Sequence, residues 1–176
     1  MKNLVIFLVS CLTALTMSCS SIYDVSYDYD KQTNFAGLKT YDWLPVPREV
    51  KVDTLVQDRI KNAVNSELEA KGLRMTSDEP DFLIAMHAGT EEKVGYSSDS
   101  WGYGYGSYWG GDRYRKYEYE EGTLVLDFVD TASKKLIWRG TAKVFVDSKM
   151  TPEKTDKLVN EAVQKTLKNF PPPAPK

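Results

Sequence analysis

Few side chains in this 176-residue sequence are equipped for chemistry. It has one histidine, His87, and two cysteines, Cys11 and Cys19. A catalytic histidine needs a nucleophile, and no serine or cysteine stands in a recognisable elbow. A metal site needs companions, and no Cys, His or acidic cluster carries ligand spacing, so neither a metal nor a cofactor is expected. His87 follows Phe82-Leu83-Ile84-Ala85-Met86, an apolar run that reads as a buried central strand, and is expected to be a strand-end residue. Asp127 and Arg139 are a charge couple that the pattern brings together, across a hairpin described below. Their expected role is to set register, contributing roughly 0.2–1 kcal/mol. Nothing here assembles an active site, and no enzyme is expected.

Cys19 has a different chemistry. Met1-Lys2-Asn3 is a basic leader, Leu4 to Leu15 is an uncharged apolar run, and Thr16-Met17-Ser18-Cys19 follows. That is the layout of a secretory signal peptide over residues 1–18, too short for a spanning helix. Its end resembles the lipobox of bacterial lipoproteins, in which cleavage precedes a cysteine that becomes thioether-linked to diacylglycerol and N-acylated. Thr16 stands where that pattern has Leu, with Leu15 one place further back, while Ser18 supplies the small residue before the cut. Cys11, in Leu8-Val9-Ser10-Cys11, fits the tetrad better but leaves too short an apolar run for export. The resemblance implies lipidation of Cys19 and anchoring to the membrane. Three acyl chains exceed by far the marginal hold of one, at about 0.8 kcal/mol per buried methylene. Ser20, not Asp, follows the cysteine, which by the family's sorting rule implies the outer membrane, with the domain facing the periplasm. Residues 19–22 are a tether reaching at most roughly 14 Å.

A second unusual stretch runs from Gly95 to Glu121. Trp101, Tyr103, Tyr105, Tyr108 and Trp109 are interleaved with glycines, and the alternation of an extended chain would put Trp101, Tyr103 and Tyr105 on one side. Flat amphipathic rings suit sugars, peptides or lipid headgroups, so these five are the candidate binding residues. A self-packed insertion between two strands accounts for the same composition, and both readings stay open. Charge narrows the partners: the formal net charge is −2 and the basic residues are dispersed, which argues against nucleic acid.

The elements that would position these residues are legible in hydrophobic period. Residues 122–146 read as a hairpin turning at Ala132–Lys134, with Phe128 opposite Trp138, Leu126 opposite Gly140 and Leu124 opposite Ala142 on the core face. The other face pairs Asp127 with Arg139, Val125 with Thr141 and Val129 with Ile137. Residues 22–30 alternate as a strand that groups Tyr23, Val25, Tyr27 and Tyr29 on one face. A second strand covers residues 39–44. Thr54 with Gln57 reads as the capping box of a helix to Lys71, ended by Gly72, with Val56, Ile60, Ala63, Val64 and Leu68 as its stripe. Thr151-Pro152-Glu153 opens a second helix with Leu158, Val159, Ala162, Val163 and Leu167 inward. Residues 171–176 form a Pro-rich tail. The expected architecture is one α+β domain over residues 23–170. It has a mainly antiparallel sheet of about five strands with both helices on one face, in the order ββ-α-βββ-α.

Asn34-Phe35-Ala36-Gly37-Leu38-Lys39-Thr40-Tyr41-Asp42-Trp43-Leu44-Pro45 resembles the opening motif of bacterial lipoproteins of domain-of-unknown-function family 4136. The likeness continues in Glu69-Ala70-Lys71-Gly72-Leu73, Pro80-Asp81-Phe82-Leu83, Gly122-Thr123-Leu124 through Asp127, Leu136-Ile137-Trp138-Arg139-Gly140-Thr141-Ala142, and Phe170-Pro171. It implies a lipoprotein with a sheet and two helices, and brings no catalytic residues. The functional expectation is a non-enzymatic envelope lipoprotein with a binding or assembly role at the outer membrane. Its partner would be an envelope protein, or a cell-wall glycan or peptide held by the aromatic loop.

Overall fold

The computed structural model describes residues 21–46, 52–98, 114–147 and 149–173. Strand β1 (Ile22–Tyr29) passes through a 3-10 turn (Phe35–Gly37) to β2 (Thr40–Trp43). Helix α1 (Thr54–Ala70), β3 (Arg74–Met75), β4 (Phe82–Ser98), β5 (Tyr114–Asp130), β6 (Leu136–Val146) and α2 (Pro152–Leu167) follow. The fold is α+β, with one six-stranded sheet in the order β1-β6-β5-β4-β2-β3.

The sheet corrects the expected one in number and in direction. Strand β3 is two exposed residues, too short to leave a period in the sequence. Strand β2 runs parallel to both β3 and β4, so the sheet is mixed, not mainly antiparallel. The cause is α1, which lies between β2 and β4 in the chain. A helical crossover returns the chain in its original direction, whereas a short turn reverses it. One carboxylate fixes this parallel register. Asp81, just before β4, accepts at Oδ2 from the backbone N–H of Lys39 (2.7 Å) and Thr40 (2.8 Å) and from the Thr40 hydroxyl (2.9 Å). Its own N–H donates back to the Thr40 carbonyl at 3.1 Å. These bonds hold the Asp81 carboxyl below the usual carboxylate range, the Lys39 N–H first among them.

The hairpin register follows the expected alternation: Leu124 pairs with Ala142, Leu126 with Gly140, Asp127 with Arg139 and Phe128 with Trp138. At its turn end the register shifts, and Val129 pairs with Leu136 instead of Ile137. The extra residue is Ile137, which is buried in the core and so escapes strict alternation. Leu124, Leu126 and Phe128 share a face with Phe82, Ile84 and Met86 of β4 and Trp138 of β6. That face receives Ile60, Val64 and Leu68 from α1 and Val163 and Leu167 from α2. Burying each such side chain contributes about 1.5–3 kcal/mol. Phe170, just beyond α2, seals the end of this core, with ring centroids 4.7 Å from Phe128 and 5.3 Å from Trp138.

Helix α2 begins as expected, with Thr151 as N-cap and Pro152 inside the first turn. Helix α1 begins one residue before the expected capping box. Its N-cap is Asp53, whose side chain accepts from Val56 N–H at 2.9 Å, while Gln57 donates to the Val52 carbonyl. Asp serves as well as Thr at this position, and its backbone already has the extended geometry that an N-cap requires.

Candidate functional site

Both helices pack on one face of the sheet, and among the described residues no helix lies on the other, the open face. Along β5 the odd-numbered residues point to the open face, because Leu124, Leu126 and Phe128 point to the core. Tyr117, Tyr119, Glu121, Asp127 and their partners on β4 and β6 therefore line one continuous surface. The strands reach unequal distances along it. Strands β4 and β5 stay paired from Phe82 with Asp130 out to Ser98 with Tyr114, whereas β6 leaves β5 after Glu120 with Val146. The outer part of this pair is a two-stranded arm. Within the Gly95–Glu121 stretch, residues 114–121 continue the strand that leads into the hairpin, as the alternation of Tyr with charge over Arg113–Tyr119 predicts, and residues 95–98 are in register with 114–117 across the arm.

An aromatic strip runs from the body onto this arm. Tyr23 of β1 lies 4.5 Å from Phe145 of β6, Phe145 5.3 Å from Tyr119 of β5, and Tyr119 5.8 Å from Tyr117 (ring centroids). Tyr23, Phe145 and Tyr117 are 44%, 43% and 50% exposed. Backbone detail explains both ends of the strip. A register shift between Ile22 and Asp24 turns Tyr23 to the open face, so the expected grouping of Tyr23 with Val25, Tyr27 and Tyr29 does not hold. Tyr23 instead donates its hydroxyl hydrogen bond to Glu121. Desolvation, then this bond and the carboxylate's charge, push the Tyr23 hydroxyl up to about 12. At the other end the Tyr117 ring lies flat across Gly95 on β4, where any Cβ would collide with the ring. Lys93, bonded to Glu91 at 2.9 Å, faces Tyr119 across the ladder.

Further along the same face stand His87, Asp127 and Arg139. Arg139 holds Asp127 with two bonds, Nε to Oδ1 at 2.5 Å and Nη2 to Oδ2 at 2.6 Å. Asp127 is buried, and its hydrogen bond raises the Arg139 guanidinium further. The expected cross-strand pair is therefore present, with Asp127 buried and the Arg139 side chain about half exposed. His87 Nε2 lies 3.9 Å from Asp127 Oδ2. The histidine is not at a strand end, as expected, but well inside a strand that continues to Ser98. Arg139 bonds both carboxylate oxygens, and the 3.9 Å to His87 is beyond hydrogen-bond distance, so Asp127 meets His87 only as a nearby charge. Among the described residues no group of three or more His, Cys, Asp or Glu side chains is placed to hold a metal.

On the helix side of the same end is a cavity of about 410 Å³. It lies between the first turns of α1 and α2 and strands β4–β6, and is walled by Val56, Ile60, Leu124, Val144, Leu158 and Val159. Its charged lining residues are Asp53, Glu120 and Asp147, all acidic.

The residues singled out from the sequence, Cys19, Trp101, Tyr103, Tyr105, Tyr108 and Trp109, lie outside the described residues. The strip formed by Tyr23, Tyr117, Tyr119 and Phe145 was not among them. Phe145 sits between Val144 and Val146 and reads as part of an apolar strand, and nothing in the sequence marks the shift that reverses Tyr23. Among the described residues no helix is long and apolar enough to cross a membrane.

Residues 25–172 match the family model described as "Domain of unknown function (DUF4136)". No match is found among curated proteins. Among solved structures, the fold is similar to that of a PDZ domain protein from Parabacteroides distasonis ATCC 8503. The TM-score is 0.59 at 13% identity, over 94% of this chain and 40% of the other, so the chain spans well under half of that relative. It is also similar to the PelC dodecamer from Paraburkholderia phytofirmans in two crystal forms. One of them, a single-residue variant, gives a TM-score of 0.51 at 10% identity over 82% of this chain and 93% of that one. The other form gives 0.50 at 11% identity, over 82% and 94%. At such identities the likeness is one of fold alone.

Proposed function

This chain belongs to the DUF4136 family, and on that premise we propose that it is a non-enzymatic, lipid-anchored binding protein of the bacterial envelope. It is tethered through Cys19 at the periplasmic side of the outer membrane, and its contact surface is the aromatic end of the open sheet face. The observation that carries the reading is the run of four neighbouring rings, Tyr23, Phe145, Tyr119 and Tyr117, on a surface that neither described helix covers. Exposed large apolar groups gathered in one patch mark a contact site more often than scattered ones do. Their chemistry favours a cell-wall glycan. Ring faces stack on sugar carbons, while Glu121 and Lys93 at the margin offer an acceptor and donors to hydroxyls. The strip runs onto the arm whose strands flank the sequence containing Trp101, Tyr103, Tyr105, Tyr108 and Trp109, which extends the same chemistry.

Titrating the protein with soluble peptidoglycan fragments while following tryptophan and tyrosine fluorescence tests this reading. A saturable shift is expected, weakened about tenfold by Tyr23→Ala or Phe145→Ala, the loss of one good stacking contact. No shift with any fragment would refute the glycan assignment. The address is tested separately: Cys19→Ala should move the protein from the membrane fraction to the soluble periplasm.

A further inference from the structure

We infer that the cavity at the N-terminal ends of α1 and α2 is the seat of one acyl chain of the protein's own Cys19 anchor. The inference rests on the lipidation reading above and adds to it where one chain goes. Three observations carry it.

The first is position. The described chain begins at Ser21, whose carbonyl accepts from Phe145 N–H at 2.9 Å. Phe145 stands between Val144 and Val146, and both line the cavity. Ile22 pairs with Val144 and packs against Ala162, with Leu158 alongside, and these three also line it. Cys19 is two residues upstream of Ser21, a reach of at most roughly 7 Å. An acyl group on Cys19 is therefore within reach of the cavity mouth.

The second is size and lining. The volume of about 410 Å³ lies within the range of small-ligand pockets, and the wall is aliphatic from α1, α2 and the sheet. At about 30 Å³ for each water-sized group, the space holds on the order of a dozen methylenes.

The third is charge. Asp53, Glu120 and Asp147 are acidic, and no Lys, Arg or His joins them among the described lining residues. The Asp53 and Thr151 side chains already cap the first turns of the two helices, so those N–H groups are not open to an anion. Three carboxylates repel a fatty acid or an anionic phospholipid. An acyl chain on Cys19 carries no charged head and enters without that cost, and of the uncharged lipids it is the one the chain itself delivers next to Ser21. With one chain seated and the others in the bilayer, the domain would be held against the membrane at a fixed end.

The experiment compares full-length lipidated protein, purified from membranes, with its Cys19→Ala form. The mass of the N-terminal peptide is read first. The probe is the uncharged 1-monomyristoylglycerol, measured by equilibrium dialysis beside myristate and myristylamine. The Cys19→Ala protein should bind one equivalent of the neutral probe, and Met150→Trp or Thr90→Trp on that background should weaken it at least about tenfold by filling the apolar space. The lipidated protein should bind none. Met150, which lines the cavity, should also be oxidised by hydrogen peroxide more slowly in the lipidated form, with exposed Met75 as the internal standard. Equal probe binding and equal Met150 oxidation with and without the anchor would overturn the seat while leaving the anchor intact. Binding of myristylamine but not of the neutral probe would overturn it in favour of a cationic ligand. An unmodified Cys19 would overturn the anchor itself.

Discussion

Replacing Asp81 tests whether one carboxylate sets the parallel part of the sheet. Its Oδ2 accepts three hydrogen bonds, from Lys39 N–H, Thr40 N–H and the Thr40 hydroxyl, at 2.7–2.9 Å. A hydrogen bond to a charged group contributes about 1.5–3 kcal/mol net. Lys39 N–H is exposed and finds water when the carboxylate is removed, so its share is small. The two Thr40 donors are part-buried, and the lower bound applies to each, which gives a loss of about 3 kcal/mol for Asp81→Ala. For a chain of this size that corresponds to a fall in Tm of roughly 6–12 °C. Asp81→Asn keeps the shape and one acceptor oxygen but gives up the charge, so about half the loss is expected. Equilibrium unfolding in urea of the Cys19→Ala protein, followed by circular dichroism, gives both numbers. If Asp81→Ala lies within about 0.5 kcal/mol of the parent, the size of an ordinary surface substitution, the clamp is not holding β2 on β4. If Asp81→Asn is as harmful as Asp81→Ala, the charge is not what stabilises the clamp.

Acid should weaken the fold through the same group. Asp81 and Asp130 both have carboxyls held below their ordinary value, by backbone and side-chain hydrogen bonds from Lys39 and Thr40 and from Ser133. Their contribution is complete above the unfolded carboxylate value, about 3.9, and is lost as pH falls through the lower folded values. Urea midpoints should therefore drop below about pH 4, and drop less in Asp81→Asn. Phe170→Ala should cost about 3–5 kcal/mol, because the ring is buried among Phe35, Phe82, Phe128 and Trp138; thermal unfolding reads this. Gly140→Ala would drive a Cβ into Trp138 Cη2 and to 2.5 Å from Thr166 Cγ2, pushing α2 off the sheet. A loss of at least about 1–3 kcal/mol in urea is expected. Asp127→Ala and Arg139→Ala should be strongly non-additive in a double-mutant cycle, since each leaves the other without its bidentate partner.

The parts of the fold that follow from local period were legible in the chain. Trp138 opposite Phe128 and Gly140 opposite Leu126 came from size-matching on a two-residue repeat. The same repeat placed Asp127 beside Arg139. Both helices announced themselves by stripe and cap, with α1 off by one residue because Asp53 and Thr54 are both good caps. What was not legible depends on geometry that sequence period does not encode. The direction of β2 is set by where the α1 crossover lands. The side to which Tyr23 points is set by one extra residue in β1, and a shift of one reverses a side chain. Ile137 was misplaced for the same reason. The aromatic strip is a further case: the tyrosines are conspicuous in the chain, but Phe145 joins them only through a register that β1, β5 and β6 set together.

Strand β1 closes the edge of the sheet by pairing with β6, as in Ile22 with Val144. The chain is synthesised from its N-terminus, so this strand emerges first and its partner near the end. Pairings between distant positions pay their loop-closure entropy late and form slowly. Until β6 arrives, the tyrosine-rich strand has unpaired backbone groups and uncovered rings, a template for stray association. That exposed state lasts until β6 is complete, and a chaperone that shields the first strand would have the most to do in that interval.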